Sequence, residues 1–209
     1  VSVRAAPLRI GVLVSGRGSN LQAILDATAR PDFPARVVVV VSDREHAIAL
    51  DRARRAGVAT VYMSPKDHSD REAFDAAVGA ALEQARVELV CLAGFMRVLG
   101  RAFVRSWSGR IMNVHPALLP AFPGLAAQRQ ALDYGVKVAG ATVHFVDEGV
   151  DTGPIIAQAS VPVHDADTEE SLSLRILVEE HRLYPEAIRL FALGRLRVAG
   201  RRVVVEDAR

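Results

Sequence analysis

In the first half of the chain, apolar residues come in short unbroken runs, each followed by a stretch whose apolar positions recur at helical spacing. Residues 10–14 form the first run. It ends in Ser15-Gly16-Arg17-Gly18-Ser19-Asn20, after which Leu21, Ile24 and Leu25 share one helical face, so the pattern predicts strand, glycine-rich turn and helix. A second strand is predicted over 37–41, a helix over 47–56 that stops at Gly57, and a third strand over 59–62. Residues 69–83 predict another helix, with Ser69 as N-cap and Glu72 completing a capping box, and 89–93 predict a fourth strand. Strands that are apolar at every position, unlike alternating ones, are covered on both faces, so this half predicts a parallel sheet flanked by helices.

The later half changes character. Residues 110–114, 140–146 and 155–163 predict strands, yet only a short helix over 126–134 separates the first two, so some of these strands are expected to run antiparallel. A long helical stretch over 168–193 opens on Glu169 and Glu170, whose charge suits a helix N-terminus, and Pro185 is expected to kink or divide it. Two short strands, 196–198 and 202–205, turn at Ala199-Gly200. The predicted fold class is α/β: a Rossmann-like three-layer sandwich, its sheet mainly parallel with antiparallel strands in the C-terminal half. It forms one domain over 1–209, with flexible tails expected at 1–7 and 206–209.

Composition narrows the function classes. Half of the 209 residues are hydrophobic, enough for one core of ordinary domain size. Lys and Arg total 26 against 24 Asp and Glu, and the basic residues, nearly all arginine, form no block, which argues against a nucleic-acid partner. The single cysteine, Cys91, lies in the apolar run 89–93, which excludes an intrachain disulfide and suits a buried thiol in a reducing, cytoplasmic setting. No apolar run approaches the roughly 20 residues of a membrane span, and the first residues lack the apolar core of a signal peptide, so no membrane partner is expected. The six histidines are dispersed, without cysteine or paired-histidine spacing, so no metal site is expected.

Two places can carry chemistry. The turn at 15–20 follows a strand and opens a helix, where free backbone N–H groups and the helix dipole can hold a phosphate. Its G-x-G-S-N lacks both the Walker ending and the third glycine of the dinucleotide fingerprint, which disfavours an NAD site; a plain tight turn capped by Ser19 or Asn20 is the alternative. The second place is Ile111-Met112-Asn113-Val114-His115-Pro116. Asn113 and His115 stand two residues apart at a strand end, so both side chains leave the same face of the sheet, over the crevice where ligands sit in open α/β sheets. Pro116 ends the strand and restricts His115 to an extended backbone. Asp151, in a glycine-flanked loop between two strands, can approach an imidazole, and an adjacent anion favours imidazolium. Taken singly, each has a bland reading: a strand-end histidine, an asparagine making turn bonds, a solvated loop acid.

Four motifs in order, S-G-R-G-S-N-L-Q-A at 15–23, L-A-G-F-M-R-V-L at 92–99, N-V-H-P-A-L-L-P-A-F-P-G-L at 113–125 and D-E-G-V-D-T-G-P-I-I at 147–156, resemble the glycinamide ribonucleotide formyltransferase family. The resemblance runs from about residue 10 to 196. It implies direct transfer of a formyl group from 10-formyltetrahydrofolate, a co-substrate, to the amine of glycinamide ribonucleotide in purine synthesis, without a metal. By the same resemblance Asn113, His115 and Asp151 match the catalytic trio, with Asn113 and a protonated His115 stabilising the oxyanion. Gly18, Ser19 and Asn20 match the phosphate loop, and Glu180 a substrate-contacting acid. Arg71, Met96, Arg97, Val98, Leu99, Asp147, Glu148, Gly149 and Val150 fall where the reduced folate binds; the alternative is a strand-to-helix connection that packs its Met and Leu inward, and it stays open for Val98. His144 matches a histidine near the site, with a satisfied core role as the alternative. A homodimer is compatible with this reading.

The chain departs from the family pattern at Ala126, Ala127 and Gln128, where one or two histidines are frequent, and at Leu177, often glutamine. Three other functions compete. A formyltetrahydrofolate hydrolase shares the trio but usually carries an N-terminal domain, and only nine residues precede the first predicted strand. A transfer RNA formyltransferase adds a C-terminal domain. A non-catalytic nucleotide-binding protein would not require Asn113, His115 and Asp151 together.

Overall fold

The structure, a computed structural model, describes residues 6–207. Among the described residues, nine strands form one sheet in the order β3-β2-β1-β4-β5-β6-β7-β9-β8. Strands β1 (Leu8–Val14), β2 (Ala35–Ser42), β3 (Ala59–Tyr62), β4 (Leu89–Leu92) and β5 (Ile111–His115) are mutually parallel. The antiparallel strands expected in the later half are β6 (Val138–Phe145), which runs against β5, and β7 (Ile155–Pro162), which runs against β6. A terminal hairpin, β8 (Leu196–Ala199) and β9 (Arg202–Val205), joins β7 through β9.

Helices cover both faces, which is what the unbroken apolar strands demanded. Even-numbered β1 residues such as Ile10, Val12 and Val14 pack, with Met112 and Val114 of β5, under α1 (Ser19–Thr28), α2 (Ile48–Arg55), α5 (Ala127–Tyr134) and α6 (Glu169–Ala192). On the opposite face Leu13, Val90, Leu92 and Ile111 pack against α3 (Arg71–Gln84) and α4 (Arg101–Ser106), through Phe74, Val78, Leu82, Phe103 and Trp107. Between β1 and β4 the chain turns to opposite sides: β1 leads toward β2, β4 toward β5. That is the topological switch point, and the crevice at its carboxyl end is the place for a ligand.

Several local expectations need correction. The cap of α3 is Asp70, whose Oδ1 accepts the Ala73 N–H at 2.8 Å, while Ser69 donates its hydroxyl to Asp70; the carboxylate is the stronger acceptor, and no capping box with Glu72 forms. Pro185 does not divide α6, which is one helix of 24 residues. Proline removes a single N–H, and the buried Leu183, Tyr184, Ala187 and Ile188 hold both sides of it against the sheet. The helix opens on a capping box between Thr168 and Ser171. The six-residue α4 and a 3-10 turn at Pro65–Asp67 were not anticipated, being too short to show a period. Of the tails expected at 1–7 and 206–209, residues 1–5 and 208–209 lie outside the described residues, and Glu206 is bonded to Arg195 and Arg197.

Tyr184 reaches across the core with its hydroxyl, shared between the carbonyls of Met112 (2.8 Å) and Leu92 (3.1 Å), and so ties α6 to the ends of β4 and β5. Burial pushes the neighbouring Cys91 thiol up to about 12, leaving it an uncharged core group. Among the described residues, no helix is long and apolar enough to cross a membrane.

Candidate active site

Three residues from two elements meet at the carboxyl end of β5. Asn113 and His115 share the face of Ile111, as their spacing of two requires. The antiparallel register with β6 then puts His144 directly opposite Asn113 and Thr142 opposite His115. Asp151 arrives from the β6–β7 loop in a left-handed backbone conformation (φ 54°). Its Oδ2 lies 3.4 Å from His115 Nδ1, and its Oδ1 lies 3.5 Å from Asn113 Nδ2 and 3.6 Å from His144 Nε2. One carboxylate thus faces all three side chains.

The remaining hydrogen bonds set which atoms can donate. His115 Nε2 lies 2.8 Å from the Phe122 carbonyl, so with Asp151 on the other side both ring nitrogens face acceptors, a set that an imidazolium satisfies with its two N–H groups. His144 Nδ1 donates to the Phe145 carbonyl at 2.8 Å, and its Nε2 lies 3.2 Å from Asn113 Nδ2, from which it accepts when the ring is neutral. Gly124 N–H donates to Asp151 Oδ2 at 2.8 Å. Burial by itself would raise the Asp151 pKa. The adjoining His144 ring, the Gly124 N–H and the positive charge the two histidines can carry outweigh it and hold the carboxyl below the usual range.

Geometry also fixes the loop that delivers Asp151. Asp147 Oδ1 accepts from Thr152 Oγ1 at 2.6 Å and from Gly149 N at 3.1 Å, and Glu148 pairs with Arg105 and Arg101 of α4. At its far end, a Cβ on Gly153 would stand 1.8 Å from the Phe145 carbonyl oxygen, which is backbone and cannot yield cheaply. Gly153→Ala is therefore expected to lower the melting temperature by about 3–10 °C, the overpacking cost of a well-filled site in a domain of this size. An unchanged thermal unfolding curve would show that the loop has room after all.

Beside the trio opens a cavity of about 400 Å³ lined by Met96, Val98, Val104, Val146 and Val150 together with Asn113, His115 and Asp151. Met96 and Val98 are exposed toward it rather than packed inward, while Leu99 is turned into the core. Arg97 stacks its guanidinium over Phe74, 4.9 Å from the ring centroid. Arg71 stands apart from the cavity wall, on α3 beside Gly100. Asp147 and Glu148 turn their carboxylates to protein partners. Ala126, Ala127 and Gln128 line the cavity where the family pattern often has histidine.

The glycine-rich turn lies at the same end of the sheet. Gly18 sits at φ 72° as the N-cap of α1, and a Cβ there would stand 2.6 Å from Ala49 Cβ, so both conformation and the approach of α2 require glycine. Asn20 Nδ2 donates to Glu180 Oε2 at 2.7 Å, joining α1 to α6, while Asn20 Oδ1 is buried without a partner among the described residues. Burial pushes the Glu180 carboxyl up, against the Asn20 hydrogen bond. Backbone groups were beyond sequence reading: the Phe122 carbonyl and the Gly124 N–H engage two of the trio, and only the proline-rich stretch 116–124 hinted at a shaped loop there.

Comparison with known proteins adds an independent line. A formyl transferase family model matches residues 8–188. The chain is 49% identical over 207 residues to the phosphoribosylglycinamide formyltransferase of Mycobacterium tuberculosis, covering 96% of this chain and 95% of that protein. It is 47% identical over 197 residues to the bovine trifunctional purine biosynthetic protein adenosine-3, covering 94% of this chain but only 20% of that much longer protein. Among solved structures, glycinamide ribonucleotide transformylase 1 from Symbiobacterium toebii superposes with a TM-score of 0.96 at 59% identity, over 98% of this chain and 96% of that one. A formyltetrahydrofolate deformylase from Pseudomonas syringae matches with a TM-score of 0.89 at 26% identity, over 97% of this chain and 67% of that one.

Proposed function

The chain belongs to the formyl transferase family, and we propose that it is a phosphoribosylglycinamide formyltransferase, passing the formyl group of 10-formyltetrahydrofolate to the amine of glycinamide ribonucleotide in purine biosynthesis. The observation that carries this reading is the convergence of Asn113, His115 and Asp151 beside an apolar slot, at the same end of the sheet where the glycine-rich turn opens α1.

The attacking amine resembles an α-amino group with a reference pKa near ~8, so a usable fraction is neutral at cell pH and no strong base is required. Its lone pair adds to the formyl carbon, forming the new C–N bond as the carbonyl electrons move onto oxygen. The demanding task is to stabilise that oxyanion. Asn113 and His115 do so by turning N–H groups now spent on Asp151, His144 and the Phe122 carbonyl toward the substrate oxygen, and the Asp151 carboxylate aims the imidazole and faces the positive charge it carries as an imidazolium. Collapse of the intermediate restores the carbonyl and breaks the bond to the folate nitrogen. The proton shed by the attacking nitrogen ends on that leaving nitrogen, with His115 as the acid on the path.

The backbone amides at Gly18, Ser19 and Asn20 receive the nucleotide phosphate at the start of α1, and Glu180 with the free Asn20 Oδ1 offers acceptors to its hydroxyl and amide groups. A flat pteridine ring suits the slot lined by Met96, Val98, Gly149 and Val150, with Arg97 in the same wall and Leu99 contributing from the core side; Arg71, off the wall, is left to the acidic tail of the folate outside the slot. The enzyme works in the cytoplasm on this reading.

Purified protein given glycinamide ribonucleotide and 10-formyltetrahydrofolate is expected to yield formylated nucleotide and tetrahydrofolate in equal amounts, followed by mass spectrometry. Accumulation of formate in place of formylated nucleotide would mean that water is the acceptor and the enzyme is a hydrolase.

A further inference from the structure

At the switch point the two ligand loops are fastened to each other through one residue, once by its backbone and once by its side chain. Ser15 follows the last residue of β1 and is only 3% exposed. Its N–H donates to the Gly94 carbonyl at 3.1 Å, and its Oγ accepts the Met96 N–H at 2.9 Å. Ser15 begins the phosphate turn, whereas Gly94 and Met96 begin the wall of the apolar slot. From these strands the loops leave in opposite directions, one into α1 and the other toward α4. Gly94 sits at φ 73°, which turns the chain so that both bonds can form. The next residue of the turn is fixed as well, since the Gly16 carbonyl accepts the Ala49 N–H at 3.1 Å.

We propose that Ser15 couples the two substrate sites, so that nucleotide bound on the turn tightens folate binding in the slot and folate tightens nucleotide binding by the same factor. This rests on the substrate reading given above. Met96 and Val98 are 59% and 60% exposed, so the slot wall has little packing of its own and must be ordered when a ring enters. An anion held by the amides of 18–20 immobilises the turn from Ser15 onward, and Ser15 in turn holds the Met96 amide. Whichever ligand arrives first stiffens its own loop and, through the Ser15 joint that is already made, part of the other, so the second ligand has less left to order. Reciprocity is then a thermodynamic necessity. Ser15 is a positioning residue here, since it acts on the substrates through the two loops.

The test is calorimetric, with glycinamide ribonucleotide and tetrahydrofolate, a pair that cannot turn over because the formyl group is missing. The wild-type chain is expected to bind tetrahydrofolate about tenfold tighter when saturated with nucleotide, and the nucleotide about tenfold tighter when saturated with tetrahydrofolate. In Ser15→Ala, which loses the bond to the Met96 N–H and keeps the backbone bond to Gly94, the ratio should fall at least threefold in both directions, and Ser15→Thr, which keeps the hydroxyl, should restore it. General damage to the fold would weaken each affinity without changing the ratio between them. An unchanged ratio in Ser15→Ala, or a wild-type ratio of one, overturns the coupling while leaving the substrates intact. Failure of the wild type to bind either ligand overturns the substrate reading and the coupling with it. Should Ser15→Ala not fold, Ser15→Cys takes its place: the sulfur is a poor acceptor of similar size, and a ratio clearly below wild type is expected.

Discussion

His115→Ala is expected to lower kcat by about 10²–10³ while leaving the KM for both substrates within a few fold and the chain folded, with a melting temperature lowered by several degrees. The magnitude is that of losing one oxyanion donor. An interaction made only in the transition state lowers kcat and kcat/KM together, so the split between kcat and KM separates this role from plain substrate binding. The ring is only 4% exposed and spans Asp151 and the Phe122 carbonyl, so its removal also frees the loop over residues 116–124 to shift; circular dichroism and thermal unfolding distinguish that from loss of fold. A variant with wild-type turnover would remove His115 from the mechanism.

Asp151→Asn should cut kcat by up to about 10⁴, the loss that follows when an orienting carboxylate behind a catalytic imidazole is replaced by its amide. The substitution keeps size and can still accept the Gly124 N–H, but it offers His115 Nδ1 a neutral partner and brings a second donor to an atom cluster arranged around an anion. It also carries a pH signature. The folded carboxyl titrates below its unfolded value, so its charge stabilises the fold fully above the unfolded pKa of about 3.9, and that contribution is lost as pH falls through the lower folded pKa. The difference in unfolding free energy between wild type and Asp151→Asn is therefore expected to be constant near neutrality and to close toward the acid end. Denaturant titrations at several pH values measure it. Full activity in the variant, or a difference that grows as pH falls, would contradict the charge arrangement described above.

How the two halves of the site became visible differs. The glycine-rich turn and the pairing of Asn113 with His115 on one face were legible because each depends on neighbours in the chain: the turn on glycines at fixed offsets, the shared face on the two-residue period of a strand. The same holds for the unbroken apolar strands, whose pattern already required a sheet covered on both sides. Short elements without a full period escaped, as α4 did, and so did the choice of cap at α3, where two adjacent side chains competed and the carboxylate won.

What local pattern leaves open is where distant segments meet. Asn113 and Asp151 are 38 residues apart, Ser15 and Met96 81, Asn20 and Glu180 160. Each pairing depends on sheet order, strand register and loop path. In the antiparallel register of β5 with β6, His144 stands opposite Asn113; a slip of one residue would send it to the other face and leave Val143 or Phe145 in its place. The chain by itself therefore determined which chemical groups stand at the strand ends and which face they leave from, because those follow from backbone periodicity. Only the folded sheet decided that an amide, two imidazoles and a carboxylate share one place, because that convergence is a property of packing between segments that are strangers along the chain.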